Sequence, residues 1–328
     1  MISSNLKSKR TGITDFFPDI CKSCADELES LGIACEVYLI PGGVGIKFLG
    51  GQPSPPDLNR LVHLPILELD FSHLPSLNYE QLKVFRLRGL TLPTRSSIPF
   101  AELRHFSLRR FKAQESRAND FDSLSCHALE ELDLSKSNLG NLSFCRDLPL
   151  HNLNIASTQV KSLSSLQGKA IETLDLSNCP IDSLSSLEET PIKSLRLVSS
   201  PVESLEPLRE TPLKSLVLRA TQVSDLTPLM ESPLASLELP GSPISSIQPL
   251  TACPIRHLNM IGIPAEDISP LLEMQLKSLL ISPLKLNKEQ FNILEKIEVT
   301  NLIGPGDPAD QEPEQFFEKY LKLVDNLY

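Results

Sequence analysis

The sequence predicts an α/β solenoid, a fold in which short repeated units stack along one axis. Eight consecutive stretches share one length and one apolar skeleton, and their apolar pairs recur every 21 residues. Such a period is typical of repeat architectures, because a single unit cannot bury its apolar face without neighbours. The pairs are Leu132/Leu134, Leu153/Ile155, Leu174/Leu176, Leu195/Leu197, Leu216/Leu218, Leu237/Leu239, Leu258/Met260 and Leu279/Ile281.

The chemistry of one unit predicts its path. In LKSLVLRATQVSDLTPLMESP (213–233), a short strand at the Leu-x-Leu pair is followed by a turn and a tight return. Pro228 excludes a regular α-helix inside that return, since proline lacks the amide hydrogen and clashes with the preceding turn. We therefore expect a leucine-rich-repeat, right-handed superhelix with a curved parallel sheet on its concave side. Short 3₁₀ or extended returns are expected on the convex side, with a cap at each end.

The N-terminal segments are predicted to cover the open end of the array. Residues 1–14 are expected to be a flexible leader, and 15–63 an N-terminal cap. Within the cap, 15–32 reads as a helix with Ile20, Cys24, Leu28 and Leu31 on one face. The runs at 35–40 and 44–49 flank Pro41-Gly42-Gly43, which predicts a hairpin.

The repeat array is predicted over residues 64–300. Units of 18, 21 and 26 residues make 64–128 irregular, and regular units occupy 129–296. The longest irregular unit is interpreted as carrying a polar bulge at 112–122. A last strand is expected to begin within 294–299.

The C-terminal segment, 301–328, is predicted to be a loop followed by a capping helix. Pro313 suits the first turn of that helix. Its buried face is expected to contain Phe317, Tyr320, Leu321 and Val324.

A column of small polar residues follows the apolar pairs. Hydroxyl groups at this position can hydrogen-bond to nearby backbone, so a ladder that stabilises the turns is expected. Its members are Ser137, Thr158, Cys179, Ser200, Thr221 and Ser242.

The units PLKSLVLRATQVSDLTPL and PIKSLRLVSSPVESLEPL resemble the short bacterial leucine-rich-repeat class. That class is related to the internalin type, but here Thr, Ser or Cys occupies the position where Asn is common. The resemblance covers about residues 64–299, and EPEQFFEKY (312–320) is similar to the tail segment that closes such arrays. It implies a non-enzymatic, protein-binding scaffold that needs no cofactor.

Composition narrows the classes of function. The net charge of −10 argues against nucleic-acid binding. The first 20 residues contain no apolar run typical of a secretory signal, and no stretch approaches a membrane span. The seven cysteines are odd in number and scattered, which favours reduced thiols. We therefore expect a cytoplasmic protein without a small-molecule substrate.

Positive charge is concentrated at 80–112, which predicts a basic patch on the concave strand face. Register would place Arg88 beside Arg109, so an acidic protein partner is one interpretation. The alternative is local pairing with Glu115, Asp120 or Asp122 of the bulge. The patch comprises Arg86, Arg88, His105, Arg109 and Arg110, and weaker concave candidates are Asp133, Asn154, Asp175, Arg196, Arg219, His257 and Asn259.

Two other functions stay open. Cys21-Lys-Ser-Cys24 could be a thiol redox pair or half of a zinc site, although a zinc site needs a second pair and only Cys35 lies near. A context of the thioredoxin type is missing, so the two thiols are interpreted as incidental helix cysteines. A purely structural spacer is the third possibility.

Overall fold

The computed structural model describes residues 18–51, 56–264 and 266–325, so the predicted leader at 1–14 lies outside the described residues. The chain forms two compact units. The first unit comprises the residues up to 139 together with 143–150, and the second comprises 140–142 together with the residues from 151 onward.

The first unit opens with helix α1 (Pro18–Ser30) and the antiparallel hairpin β1 (Cys35–Ile40) and β2 (Gly43–Phe48). Each later strand pairs in parallel with the one before it. These strands are β3 (Ile66–Asp70), β4 (Gly89–Thr91), β5 (Arg110–Lys112) and β6 (Glu131–Asp133). The predicted hairpin is therefore present in the structure.

The buried face of α1 differs from the predicted one. Cys21, Cys24 and Leu28 are buried, whereas Ile20 is 37% exposed and Leu31 is half-buried. The helix is thus rotated about its axis, with Cys21 facing inward where Ile20 was expected.

Residues 64–128 are regular, and the predicted irregular units are wrong. Leu69 pairs with Leu90, Leu90 with Phe111, and Phe111 with Leu132, so successive strands are 21 residues apart. No bulge interrupts this spacing at 112–122, because that segment contains the end of β5 and an ordinary turn. The strand positions were mispredicted because Phe85-Arg-Leu87 and Phe106-Ser-Leu108 have the same apolar-x-apolar pattern as a strand pair. The strands β4 and β5 begin two residues after these two segments.

The second unit continues the pattern of parallel strands joined by short 3₁₀ segments, such as Ser185–Leu187 and Thr227–Leu229. The predicted solenoid of parallel strands with 3₁₀ returns is therefore confirmed. Its strands are β7 (Asn152–Asn154), β8 (Thr173–Asp175), β9 (Ser194–Arg196), β10 (Ser215–Val217), β11 (Ser236–Glu238), β12 (His257–Asn259), β13 (Ser278–Leu280) and β14 (Asn301–Ile303), and its helices are α2 (Lys288–Leu294) and α3 (Pro313–Asp325).

The core is a column of leucines at the strand centres. Leu174, Leu195, Leu216 and Leu237 pair in register along β8 to β11, and each is fully buried. Burial of each leucine contributes about 1.5–3 kcal/mol relative to the exposed state. Because every turn of the solenoid repeats this contribution, stability depends on stacking and not on a single large core.

The predicted ladder of small polar residues is present. Oγ1 of Thr158 donates to the carbonyl of Ile155 at 2.7 Å, and Sγ of Cys179 reaches the same carbonyl at 3.0 Å. Hydroxyls of Ser200 and Thr221 each donate to the carbonyl three residues earlier at 3.0 Å. The ladder therefore links neighbouring turns as well as closing each turn.

A second ladder, which sequence reasoning missed, lines the opposite corner of the coil. The hydroxyls of Thr190 and Thr211 donate to backbone carbonyls at 2.6 and 2.7 Å, and Sγ of Cys253 donates at 3.0 Å. Each member directly precedes one of the periodic prolines. That spacing was the signal that could have predicted it.

The end of the array departs from the predicted strand at 294–299. Asn287 and Gln290 form a capping box, which satisfies free backbone donors and starts α2 where the repeat would have continued. The next strand, β14, begins only at Asn301. Leu279 then pairs with Leu302, two residues later than the regular period predicts.

Helix α3 closes the array through a face that was only partly predicted. Phe316 and Tyr320 are buried, Phe317 is half-buried, and Leu321 is 41% exposed. The side chain of Val324 lies outside the described residues. Tyr320 also donates a hydrogen bond to Asp307 at 3.0 Å, which ties the helix to the preceding loop.

Candidate functional site: the sheet face and its edge

The sheet face is the exposed side of the strands, where residues on either side of each buried central residue point outward. The structure places most of the weaker predicted candidates there. Arg219 lies three residues beyond the strand centre Leu216. The candidates within strands are Asp133 in β6, Asn154 in β7, Asp175 in β8, Arg196 in β9, and His257 and Asn259 in β12.

Four of these candidates have a structural role that their residue type explains. Oδ1 of Asp133 and of Asp175 each accept the N–H two residues later at 2.9 Å. Asn154 and Asn259 make the same turn bond at 3.0 and 3.2 Å. These side chains stabilise the turn that follows each strand, so their pattern does not by itself indicate a binding site.

The predicted basic patch is not a strand-face cluster. Arg86, Arg88, His105 and Arg109 precede the strands and lie on the edge where the chain enters them, and Arg110 alone lies in a strand. The physical reason is the displaced register described above. Arg88 and Arg109 are nevertheless neighbours, because the N–H of Arg109 donates to the carbonyl of Arg88 at 2.7 Å.

Two members of the patch are neutralised internally, although not by the predicted acids. Arg109 forms a salt bridge with Glu130 at 2.8 Å, with both side chains substantially exposed. Arg110 contacts Glu68, whose side chain is only 10% exposed. Within the described residues, no salt bridge reaches Arg86, Arg88 or His105.

Glycine makes the contact between Glu68 and Arg110 possible. The two residues lie on β3 and β5, and Gly89 of β4 separates them. A β-carbon at Gly89 would lie 2.7 Å from the Glu68 carboxyl carbon, so any other residue would block the path. The hydroxyl of Tyr38 also donates to Glu68 at 3.3 Å. This cluster is a structural ion pair and not a free binding site.

The acids of the predicted bulge have other partners. Glu115 binds Arg95 at 2.8 Å and Lys136 at 3.4 Å, and these contacts lower its pKa below the usual range. Asp120 accepts the N–H groups of Phe100 and Ala101 at 3.0 and 2.7 Å. The predicted pairing with Glu115, Asp120 or Asp122 is therefore absent from the described part of the chain, and Glu130 and Glu68 pair with Arg109 and Arg110 instead.

The sheet face of the second unit carries cations that are only loosely paired. Arg196 approaches Asp175 at 3.4 Å, and Arg219 approaches Glu238 at 3.5 Å. Their side chains remain 50% and 54% exposed. His257 is exposed beside them on β12.

The cysteine pair lacks the surroundings of a reactive thiol. Cys21 and Cys24 are 1% and 2% exposed. Burial raises the pKa of both thiols, and the nearby charges of Cys21 and Glu27 raise that of Cys24 further. Reactive cysteines require the opposite shift, because the thiolate is the nucleophile.

Among the described residues, no group of three or more His, Cys, Asp and Glu side chains is placed to hold a metal ion. None of the helices in the described ranges has the length and apolar character needed to cross a membrane.

Parallel strands at a fixed interval, a leucine column and side-chain ladders together define a leucine-rich-repeat protein. No family model matches the chain, and no curated protein matches it. Among solved structures, the chain is similar to an internalin (inlF) from Listeria monocytogenes, with 17% identity, a TM-score of 0.52, and coverage of 76% of this chain and 87% of that one.

It is also similar to the functional domain of InlJ from Listeria monocytogenes, described as including a cysteine ladder. That likeness has 15% identity and a TM-score of 0.51, and it covers 80% of this chain and 56% of the InlJ chain. The fold is therefore that of the bacterial, internalin-like leucine-rich-repeat proteins, as the sequence predicted.

Proposed function

We propose that this protein binds another protein through the sheet face of its second unit. The observation that supports this proposal is a contrast within the repeats. The central strand residue is leucine in all five strands from β9 to β13, whereas the residue after it changes in charge and size. Those residues are the exposed Arg196, the half-buried Glu238, Asn259 and Leu280, and the buried Val217.

In such a repeat, the buried residues determine the fold, and the residues on the sheet face are available to recognise a partner. Inward positions must be alike because each turn packs on the next. The exposed positions carry no such requirement, so their variety can match one partner. The small side chains of Ser194, Ser215 and Ser236 run beside them and would let a partner approach the sheet closely.

The chemistry of the face suggests the kind of partner. Arg196 and Arg219 project planar guanidinium groups that can exchange a loose internal contact for a bidentate bond to a carboxylate. The half-buried Leu280 provides apolar area on the same face. A protein surface that presents acidic groups beside an apolar patch fits this arrangement.

The predicted basic patch stays in the proposal as a separate contact on the first unit. Arg86, Arg88 and His105 are exposed on the entry edge, and among the described residues they are the patch members that form no salt bridge. Arg109 and Arg110 are omitted because Glu130 and Glu68 neutralise them.

A site-specific photo-crosslinker tests the proposal. Placed at Ser215 on the sheet face and, as a matched control, at exposed Ser224 on the return side, it is applied in an extract of the source cells. We expect a discrete adduct from Ser215 alone. Arg196→Glu with Arg219→Glu should abolish the adduct, whereas Lys161→Glu on the return side should preserve it. Identical adducts from both positions, or none from either, would contradict the proposal and favour a structural spacer.

A further inference from the structure

The edge on which each return of the second unit enters the next strand carries three parallel columns. We call this surface the proline edge. An acidic column comes first along each turn, a proline column follows, and a basic column lies closest to the strands. The acids are Glu189, Glu210, Glu231 and Glu273; the prolines are Pro191, Pro212, Pro233 and Pro254; and the bases are Lys193, Lys214, Arg256 and Lys277.

The charges of the proline edge are largely unpaired. All members of the acidic and basic columns are exposed. Lys193 forms a salt bridge with Glu172 at 2.8 Å, but in the described part of the chain no salt bridge reaches the four acids, Lys214 or Lys277. The N–H of Lys214 donates to the carbonyl of Lys193 at 2.8 Å, so successive bases sit on adjacent turns, about 5 Å apart. Like charges stacked in this way repel one another.

We propose that a second copy of this chain docks on the proline edge. A two-fold axis that runs parallel to the columns exchanges their left and right sides. The acidic column of each copy then faces the basic column of the other, and the proline columns meet at the centre. The alternative axis, across the columns, sets acid against acid and base against base, so charge selects the first arrangement.

The columns match at three turns, where Glu189, Glu210 and Glu273 precede Lys193, Lys214 and Lys277; Ala235 interrupts the basic column and Ala252 the acidic column. In the selected arrangement, Glu210 faces the partner's Lys214 and Glu273 faces the partner's Lys277, because each acid precedes its base by four residues on the same corner. Such a contact is isologous, so each pairing occurs twice. The prolines, of which Pro212, Pro233 and Pro254 are exposed, add a rigid apolar strip that loses little conformational entropy on contact. The sheet face is not used, so this inference is independent of the proposed function.

Sedimentation equilibrium of the full chain tests this dimer. We expect a reversible monomer–dimer equilibrium whose dissociation constant rises about tenfold or more when salt is raised from low to high ionic strength, because exposed charges are screened. A wild-type chain that stays monomeric at every concentration would overturn the proposal.

A charge exchange makes the test specific. Glu210→Lys with Glu273→Lys places bases on both sides of the prolines at these two turns, and Lys214→Glu with Lys277→Glu places acids on both sides. Each variant alone should be monomeric, and an equimolar mixture should form a heterodimer. The exposed return-side substitution Glu203→Lys is the matched control and should dimerise like wild type. Unimpaired dimers of both variants, or a mixture of folded variants that fails to associate, would refute the pairing; circular dichroism establishes that they are folded.

Discussion

Replacing Arg110 of the predicted patch by alanine should destabilise the protein much more than the same replacement of its neighbour Arg109. Arg110→Ala removes the counter-charge of Glu68, whose side chain is 10% exposed. Loss of one partner from a buried pair typically costs about 3–5 kcal/mol, because the remaining charge stays desolvated. Arg110 itself is 38% exposed, so we expect a loss near the lower end, about 3 kcal/mol.

Arg109→Ala is the matched control. Its salt bridge with Glu130 joins side chains that are 60% and 40% exposed, and water solvates whichever charge remains. Exposed pairs contribute about 0–1 kcal/mol, so the variant should unfold almost like wild type. Urea denaturation followed by circular dichroism measures both changes from the shift in midpoint.

A second substitution identifies the cause of the loss. If an orphaned carboxylate destabilises Arg110→Ala, then adding Glu68→Gln removes the buried charge and should recover about 1–2 kcal/mol. Equal stabilities of the two single variants, or no recovery in the double variant, would refute the reasoning that Glu68 and Arg110 are a buried structural pair.

Three further outcomes are expected. Ala220 has a φ of 54°, so Ala220→Gly should raise stability by about 0.5 kcal/mol, because relief of strain exceeds the added chain entropy; an unchanged or lower thermal midpoint would contradict this. A β-carbon at Gly304 would overlap Tyr320, so Gly304→Ala should destabilise the C-terminal end by about 1–3 kcal/mol and speed proteolysis there; wild-type protease resistance would count against it. Burial lowers the pKa of His127, although a hydrogen bond with Phe106 opposes the shift. Stability should therefore be full above about pH 6.5 and decline as pH falls through that ordinary value towards the folded pKa. The thermal midpoint of His127→Leu should fall less between about pH 7.5 and pH 5.5 than that of wild type, and equal falls would disprove this.

The regular part of the fold was predictable because the residues that form its core recur at a fixed interval. Leu174, Leu195 and Leu216 repeat at one interval, and only stacked turns can bury them all. The ladder at Thr158 and Thr221 was predictable for the same reason, since a small polar residue recurs beside each buried turn. These features depend on local spacing, which the chain displays directly.

The register of the first repeats was not decided locally. Phe85-Arg-Leu87 and Leu90-Thr-Leu92 are both acceptable strand pairs when read alone. The structure selects the second, because Leu90 pairs with Leu69 and Phe111 on the adjacent strands. Extending the 21-residue period backward from Leu132 gives Phe111, Leu90 and Leu69 as the strand centres, which is the register that the structure shows.

The sequence by itself determined that this chain is a solenoid of leucine-rich repeats, because burial of a periodic apolar face leaves few alternatives. Tertiary structure alone decided which charges are free. Glu68 and Arg110 meet across Gly89 from strands two turns apart, and no local pattern encodes that approach. The proline edge likewise appears only when successive turns align their corners. Charge pairing depends on distance in space, whereas the repeat depends on distance along the chain.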